Sequence, residues 1–178
     1  ISNASDAIDK LAYTALTDEK VGIARDQFAI TITRDKENRT LTVSDNGIGM
    51  SLEEMEENLG TIAKSGSLGF KQAMEKKEDI DIIGQFGVGF YSAFMVASEV
   101  TVISKKYGAD KAYKWVSNGT DGYSVEEAQR DTAGTDVIMV LKADTEEDTY
   151  SQYLEEYEIR NLITKYSDYI RYPIRMEV

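Results

Sequence analysis

The stretch Leu41-Thr42-Val43-Ser44-Asp45-Asn46-Gly47-Ile48-Gly49-Met50-Ser51 decides the fold, because it strings a strand, a turn and a helix start together. Leu41 and Val43 alternate with polar neighbours, as in a half-buried strand. Asp45 to Met50 reads as the end of that strand running into a turn with two glycines. Ser51 then caps a helix, with Glu54 three positions on as its capping-box partner. Upstream, Phe28, Ile30 and Ile32 alternate as a second strand, joined to the first by a polar turn at Asp35 to Asn38. Further upstream, Ile1, Ala4, Ile8, Leu11 and Ala15 recur at spacings of three and four, a helical stripe running to about Leu16. Downstream, six of the 13 glycines lie between Gly60 and Gly89, a density that marks loop. An apolar helix containing Phe90, Phe94 and Met95 follows. Val100–Ser104, Ala112–Ser117, Tyr123–Glu127 and Thr135–Leu141 then read as successive strands, broken by Gly108, Asn118–Gly119 and Gly134. Ile159, Leu162, Ile163, Tyr166 and Ile170 predict a last helix, ended by Pro173, with Ile174, Met176 and Val178 starting one more strand. The pattern is α+β: one domain with helices over one face of a mostly antiparallel sheet.

Composition bounds what such a domain can do. At 178 residues, 42% hydrophobic and 29% charged, the chain has the make-up of one soluble domain. The net charge of −12 repels phosphate backbones, so neither nucleic acid nor an anionic membrane is an expected partner. No apolar run approaches the ~20 residues of a membrane helix. Zero Cys removes disulfides, thiol nucleophiles and thiolate metal sites, and fits a reducing, cytoplasmic setting. Zero His removes the commonest general base and zinc ligand. Ile1 is neither an initiator Met nor the start of a signal peptide, and the chain opens inside a helical pattern, so a fragment or trimmed chain is expected.

Four segments carry possible chemistry. On the first helix Asn3, Asp6, Ala7 and Lys10 share a face opposite the apolar stripe. An amide, a carboxylate and an ammonium there could hold a hard cation and an anionic ligand, although a solvated helix face with an Asp–Lys pair accounts for them more simply. Asp45 at a strand end can accept a hydrogen bond from an exocyclic amine such as that of adenine, while Gly47 and Gly49 admit close backbone approach; a plain tight turn fits the same residues equally well. Gly84-Gln85-Phe86-Gly87-Val88-Gly89-Phe90 feeds a helix and favours phosphate over its alternative, a flexible loop with two buried aromatics. Asn58-Leu59-Gly60-Thr61-Ile62-Ala63-Lys64-Ser65-Gly66 reads either as part of a lid over a ligand or as a helix C-terminus capped by Gly60. The acidic runs Glu53 to Glu57 and Asp144 to Glu158 read as solvated faces.

Taken together, the Asn-bearing helix, the D-x-G-x-G turn and the glycine turn into a helix resemble the Bergerat ATP-binding fold. The GHKL superfamily that shares it includes gyrase, mismatch-repair proteins, sensor histidine kinases and the ninety-kilodalton heat-shock chaperones. Ile1 to Ala7, Asp45 to Met50, Asn58 to Gly66 and Ile83 to Phe94 are similar to the chaperone branch nearly residue for residue, most of all to its bacterial members. The likeness continues through Gly134-Thr135 to Tyr172-Pro173-Ile174.

The resemblance implies a two-layer sandwich with a lid at about 60–84, and a chain lacking the family's first strand and helix. It implies Mg²⁺ held through the Asn3 oxygen, the adenine amine on Asp45, and Thr135 and Gly49 assisting through ordered water. Ala7, Met50 and Leu59 would line the base pocket; Asp6 and Lys10 would sit at its rim; Asn58 would reach the ribose and phosphate region. Lys64 would approach the phosphates, which the backbone of Gln85, Phe86, Gly87, Val88, Gly89 and Phe90 would cradle. The water-activating glutamate of the family falls just upstream of Ile1, so the catalytic set in this chain is empty. A positioned general base contributes roughly 10²–10⁴-fold, so the expectation is ATP and ADP binding with poor hydrolysis. The implied role is the nucleotide-binding domain of an ATP-driven chaperone acting on client proteins in a stress response, dimeric at full length and monomeric as this domain. A DNA-repair or topoisomerase ATPase of the same fold is the alternative, disfavoured by the net charge. A sensor kinase stands further off, and a pure interaction module is opposed by the intact Asn3, Asp45 and Lys64.

Overall fold

A computed structural model describes residues 2–16, 27–60, 93–119, 122–166, 170 and 172–176. Helix α1 (Ser2–Ala15) opens the chain, followed by strands β1 (Ile30–Asp35) and β2 (Thr40–Asp45) and a short helix α2 (Leu52–Met55) that passes into a π-helical turn (Glu56–Gly60). A one-turn helix α3 (Ala93–Val96) leads into β3 (Ala97–Lys105), β4 (Ala112–Ser117), β5 (Tyr123–Ala128) and β6 (Gly134–Leu141). A 3₁₀ turn (Tyr150–Leu154), helix α4 (Glu156–Tyr166) and strand β7 (Ile174–Met176) close it.

The strands form one seven-stranded sheet in the order β5-β4-β3-β6-β2-β1-β7. All pairings are antiparallel except that of β7 with β1. The order is not sequential: β6 returns to lie between β2 and β3. Cross-strand partners point to the same face, so the register sorts every side chain. Ile32, Val43, Val137, Val102, Trp115 and Val125 form one continuous row from β1 to β5. That face is the packed one, and the helices cover it.

Two core clusters fill the space between. Ala4, Ile8 and Leu11 of α1 pack with Phe28 and Ile30 near β7. Met55, Leu59, Phe94 and Leu154 pack over Val100, Val102, Trp115, Met139 and Leu141. Trp115 stacks on Tyr123 with ring centroids 5.9 Å apart and meets the edge of Phe94 at 6.5 Å. Ala4, Ile8 and Leu11 of the predicted stripe are thus the buried face of α1, with Ala15 partly buried against it and Ile1 outside the described residues, and the α+β expectation holds.

Several boundaries move. β3 starts at Ala97, so the chain becomes extended directly after the described helical residues Ala93–Val96, which hold Phe94 and Met95; Phe90, expected in the same helix, lies outside the described residues. The last described helix ends at Tyr166, leaving Ile170 beyond it against the α1 cluster. Gly134 opens β6 rather than breaking the chain before it. The acidic runs are only partly solvated faces. Glu54 closes the Ser51 capping box and pairs with Lys106 at 2.8 Å; Asp144 accepts from Ser151 and Arg39, and Glu155 and Glu156 pair with Lys36 and Arg34. The spacing of these acids along the chain gives no sign of basic partners that lie far off in sequence.

Ile8 is fully buried at the centre of the α1 cluster. Truncating it leaves a cavity, so Ile8→Ala is expected to cost about 2–5 kcal/mol in chemical denaturation, whereas Tyr13→Ala, on the exposed side of α1, should stay within about 0.5 kcal/mol of the parent.

Candidate functional site

The Asp45-to-Met50 turn is built into the protein by its own backbone. Gly47 N–H donates to the Asp45 carboxylate at 2.9 Å, folding the turn back on the strand end. Ile48 N–H donates to the carbonyl of Ala7 on α1 at 3.0 Å, and the Ile48 carbonyl accepts from Tyr107 N–H at 2.8 Å. The turn is therefore clamped between α1 on one side and the end of β3 on the other. Both glycines are required by that clamp. A Cβ at Gly47 would stand 2.4 Å from the Ala7 carbonyl carbon; one at Gly49, where φ is +72°, would stand 1.9 Å from the Lys105 oxygen. In the folded chain the backbone these glycines approach is the protein's own. Asn46 is more than a turn former: its side chain accepts from Ala29 N–H at 3.0 Å and donates to the Gln27 carbonyl at 2.7 Å, tying the approach to β1 onto the turn.

Asp45 itself is buried, at 6% exposure. Burial pushes its carboxyl up to about 6; the Gly47 hydrogen bond and the nearby Arg130 guanidinium pull it back down, and Asp136 opposes them. Among the described residues the Gly47 amide is the one donor to this carboxylate, which has room to accept more. Arg130 does not bond the carboxylate. It donates from Nη2 to the Asp45 main-chain oxygen at 3.0 Å and from Nη1 to the Thr132 carbonyl, and it pairs with Asp136 at 3.4 Å. Thr135 is the cross-strand partner of Asp45, and Ser104 is the cross-strand partner of Thr135. The three side chains form one row across β2, β6 and β3 on the packed face, joined by a 2.7 Å contact between the Ser104 and Thr135 hydroxyls.

Of the residues singled out in the sequence, the structure brings Asp45, Gly49, Met50, Thr135 and, across the Ile48 bond, Ala7 into one neighbourhood. Asp6 and Lys10 lie exposed on α1, and no ion pair joins them among the described residues. Asn3 lies in the first turn of α1. Asn58 is exposed on the π-helical turn, while its neighbour Leu59 belongs to the larger core. Lys64 and the segment Gln85, Phe86, Gly87, Val88, Gly89 and Phe90 lie outside the described residues, as does most of the lid expected at about 60–84. Sequence reasoning missed Ser104, Arg130 and Lys106. Ser104 had a signal: it continues the inward row Val100, Val102, where an apolar residue is the rule. Arg130 and Lys106 had none, because their partners Asp45 and Glu54 are distant in sequence. Among the described residues no group of His, Cys, Asp and Glu could hold a metal alone, and no helix is long and apolar enough to cross a membrane.

Residues 3–145 match the family model described as histidine kinase-, DNA gyrase B- and HSP90-like ATPase. The chain is 60% identical over its whole length to a chaperone protein HtpG of Alkaliphilus oremlandii. It is 58% identical over 177 residues to one of Bacillus subtilis and 58% over 178 residues to one of Clostridium perfringens. It spans only 28–29% of the length of these relatives.

Two outcomes follow from this geometry. Because the native Asp45 carboxyl sits above its ordinary 3.8, the folded chain holds more protons than the unfolded one between about pH 4 and 6. Its contribution to stability therefore falls as pH rises through that window. Asp45→Asn should gain on the parent over the same window and level off above about pH 7, by on the order of 2 kcal/mol in denaturation measured against pH. Gly47→Ala should instead destabilise at every pH, by about 1–3 kcal/mol, since the clash is with backbone.

Proposed function

The chain belongs to the histidine kinase-, DNA gyrase B- and HSP90-like ATPase family, and on that premise we propose that it binds adenine nucleotides with Asp45 as the acceptor for the base amine. The observation that carries this reading is the buried Asp45 carboxylate, bonded among the described residues by the Gly47 amide alone, at the end of a strand, across from Thr135 and beside a helix. An exocyclic amine is a fixed donor of the kind this carboxylate needs. Gly49 and Thr135 hold ordered water against the base, and Ala7, Met50 and Leu59 give the apolar wall. Asp6 and Lys10 stand at the pocket rim and Asn58 reaches the ribose and phosphate region, with Lys64 and the Gln85–Phe90 backbone as the phosphate contacts.

Magnesium fits the donor set. It keeps several waters and takes one or two protein oxygens beside phosphate oxygens, so Asn3 suffices where no acidic cluster is found among the described residues. Bound there, the ion neutralises phosphate charge. The chain's own residues then have three tasks: Asp45 orients the base, Asn3 fixes the metal end, and the glycine-clamped turn keeps the two in register with α1.

At the level of the longer protein, we read the domain as the nucleotide-binding part of an ATP-dependent, stress-responsive chaperone that is a homodimer and acts on client proteins in the cytoplasm. Likeness to chaperone proteins HtpG across the whole chain supports this. The −12 net charge weighs against the DNA-acting members of the family.

The test is thermal unfolding with and without Mg-ADP. A ligand at ~100 times its dissociation constant adds ~2.7 kcal/mol, which should raise the melting temperature of the parent by several degrees. Asp45→Asn should show no such rise. A parent that does not respond to Mg-ADP overturns the reading.

A further inference from the structure

Ser104 is completely buried behind the Asp45–Thr135 row. Its hydroxyl has three polar neighbours: Met50 N–H donates to it at 2.8 Å, the Gly134 carbonyl lies at 3.1 Å, and the Thr135 hydroxyl lies at 2.7 Å. A hydroxyl has one proton and two lone pairs. Only one assignment satisfies all three contacts together. Met50 N–H takes one lone pair, the Ser104 proton goes to the Gly134 carbonyl, and Thr135 must donate its own proton into the remaining lone pair. The opposite assignment, Ser104 donating to Thr135, leaves the Gly134 contact unmade.

In the satisfied arrangement Thr135 has given its single proton away and presents lone pairs only. Ionised Asp45, its neighbour in the row, is likewise acceptor-only. We propose that Ser104 is a positioning residue that fixes the Thr135 hydroxyl as an acceptor, so that the pocket floor selects a base carrying an amine over one carrying a carbonyl at the same place. This rests on the reading of Asp45 as the base acceptor. An amino-purine brings its exocyclic donors directly to a row of acceptors. At the exocyclic position an oxo-purine brings a lone pair against lone pairs, a mismatch that discriminates in a buried site. The Met50 amide, bonded to the same hydroxyl, couples this choice to the turn that follows Asp45.

Removing the Ser104 hydroxyl frees the Thr135 proton, and Thr135 can then donate to a carbonyl. The experiment measures ADP and IDP affinities by calorimetry on the chain, on Ser104→Ala, on Thr135→Val and on the double variant, with Asp45→Asn alongside. The parent is expected to prefer ADP. Ser104→Ala should narrow the ADP-over-IDP ratio by about fivefold, the size of one neutral hydrogen bond. In the Thr135→Val background the same change should leave the ratio unmoved, because Ser104 acts through Thr135. Ser104→Cys, a weak donor in nearly the same space, gives the same reading if the alanine variant does not fold. A Ser104→Ala chain that melts lower yet keeps the parent ratio has lost only packing, and overturns the proposal. So does a shift of equal size in the Thr135→Val background. If Asp45→Asn abolishes ADP binding while Ser104→Ala keeps the ratio, the proposal fails and the pocket reading stands. If Asp45→Asn binds ADP like the parent, the pocket reading fails and the proposal with it.

Discussion

The buried carboxylate of Asp45 is the constraint around which the described part of the chain is arranged. An isolated charge at 6% exposure is costly, and among the described residues no basic side chain bonds the carboxylate to cancel that cost. Arg130 approaches, but it bonds the Asp45 main-chain oxygen and is itself paired with Asp136. Only the Gly47 amide reaches the carboxylate directly among the described hydrogen bonds. Burial without a matching basic side chain among the described residues is what sets Asp45 apart from the chain's other, paired carboxylates.

Sheet topology supplies the neighbours that make the carboxylate selective. Had β6 paired at the edge, Thr135 would not lie between Asp45 on β2 and Ser104 on β3. Its insertion between those strands creates the row, and the inward alternation of each strand keeps all three side chains on the helix-covered face. The same insertion carries the apolar row from Ile32 to Val125, so the floor of the site and the centre of the core belong to one register. A one-residue slip would send both to the other face. Fold and site are therefore specified by the same hydrogen-bond ladder.

How legible this was depended on the range of each interaction. The α1 stripe, the Ser51 capping box and four of the strands are written in spacings of two to four residues, and they appear where the sequence puts them. Asp45 and Thr135 could be singled out because they resemble a family pattern, but no local signal says that they face each other. The glycines of the turn were visible as permissive residues. What they permit, contact with α1 and with the end of β3, depends on tertiary placement. Ser104 is the instructive case: one hydroxyl in an apolar alternation looks like a tolerated exception until its three partners, drawn from two other parts of the chain, are seen together.

Charge sets the last requirement on the ligand. The chain carries −12 overall, and Arg34, Lys36, Arg39, Lys106, Lys111, Lys114, Arg130 and Arg160 are each paired with a carboxylate. Such pairs add little to stability at a surface, but they leave those cations with little field to offer a polyanion. A nucleotide entering this domain meets net repulsion at long range. On the reading proposed above, directional bonding at the base end, where Asp45 and Thr135 stand, would offset it together with the phosphate contacts and a divalent cation that lowers the phosphate charge. On that reading the base contacts carry recognition, and a divalent cation would make an acidic protein approachable to an acidic ligand.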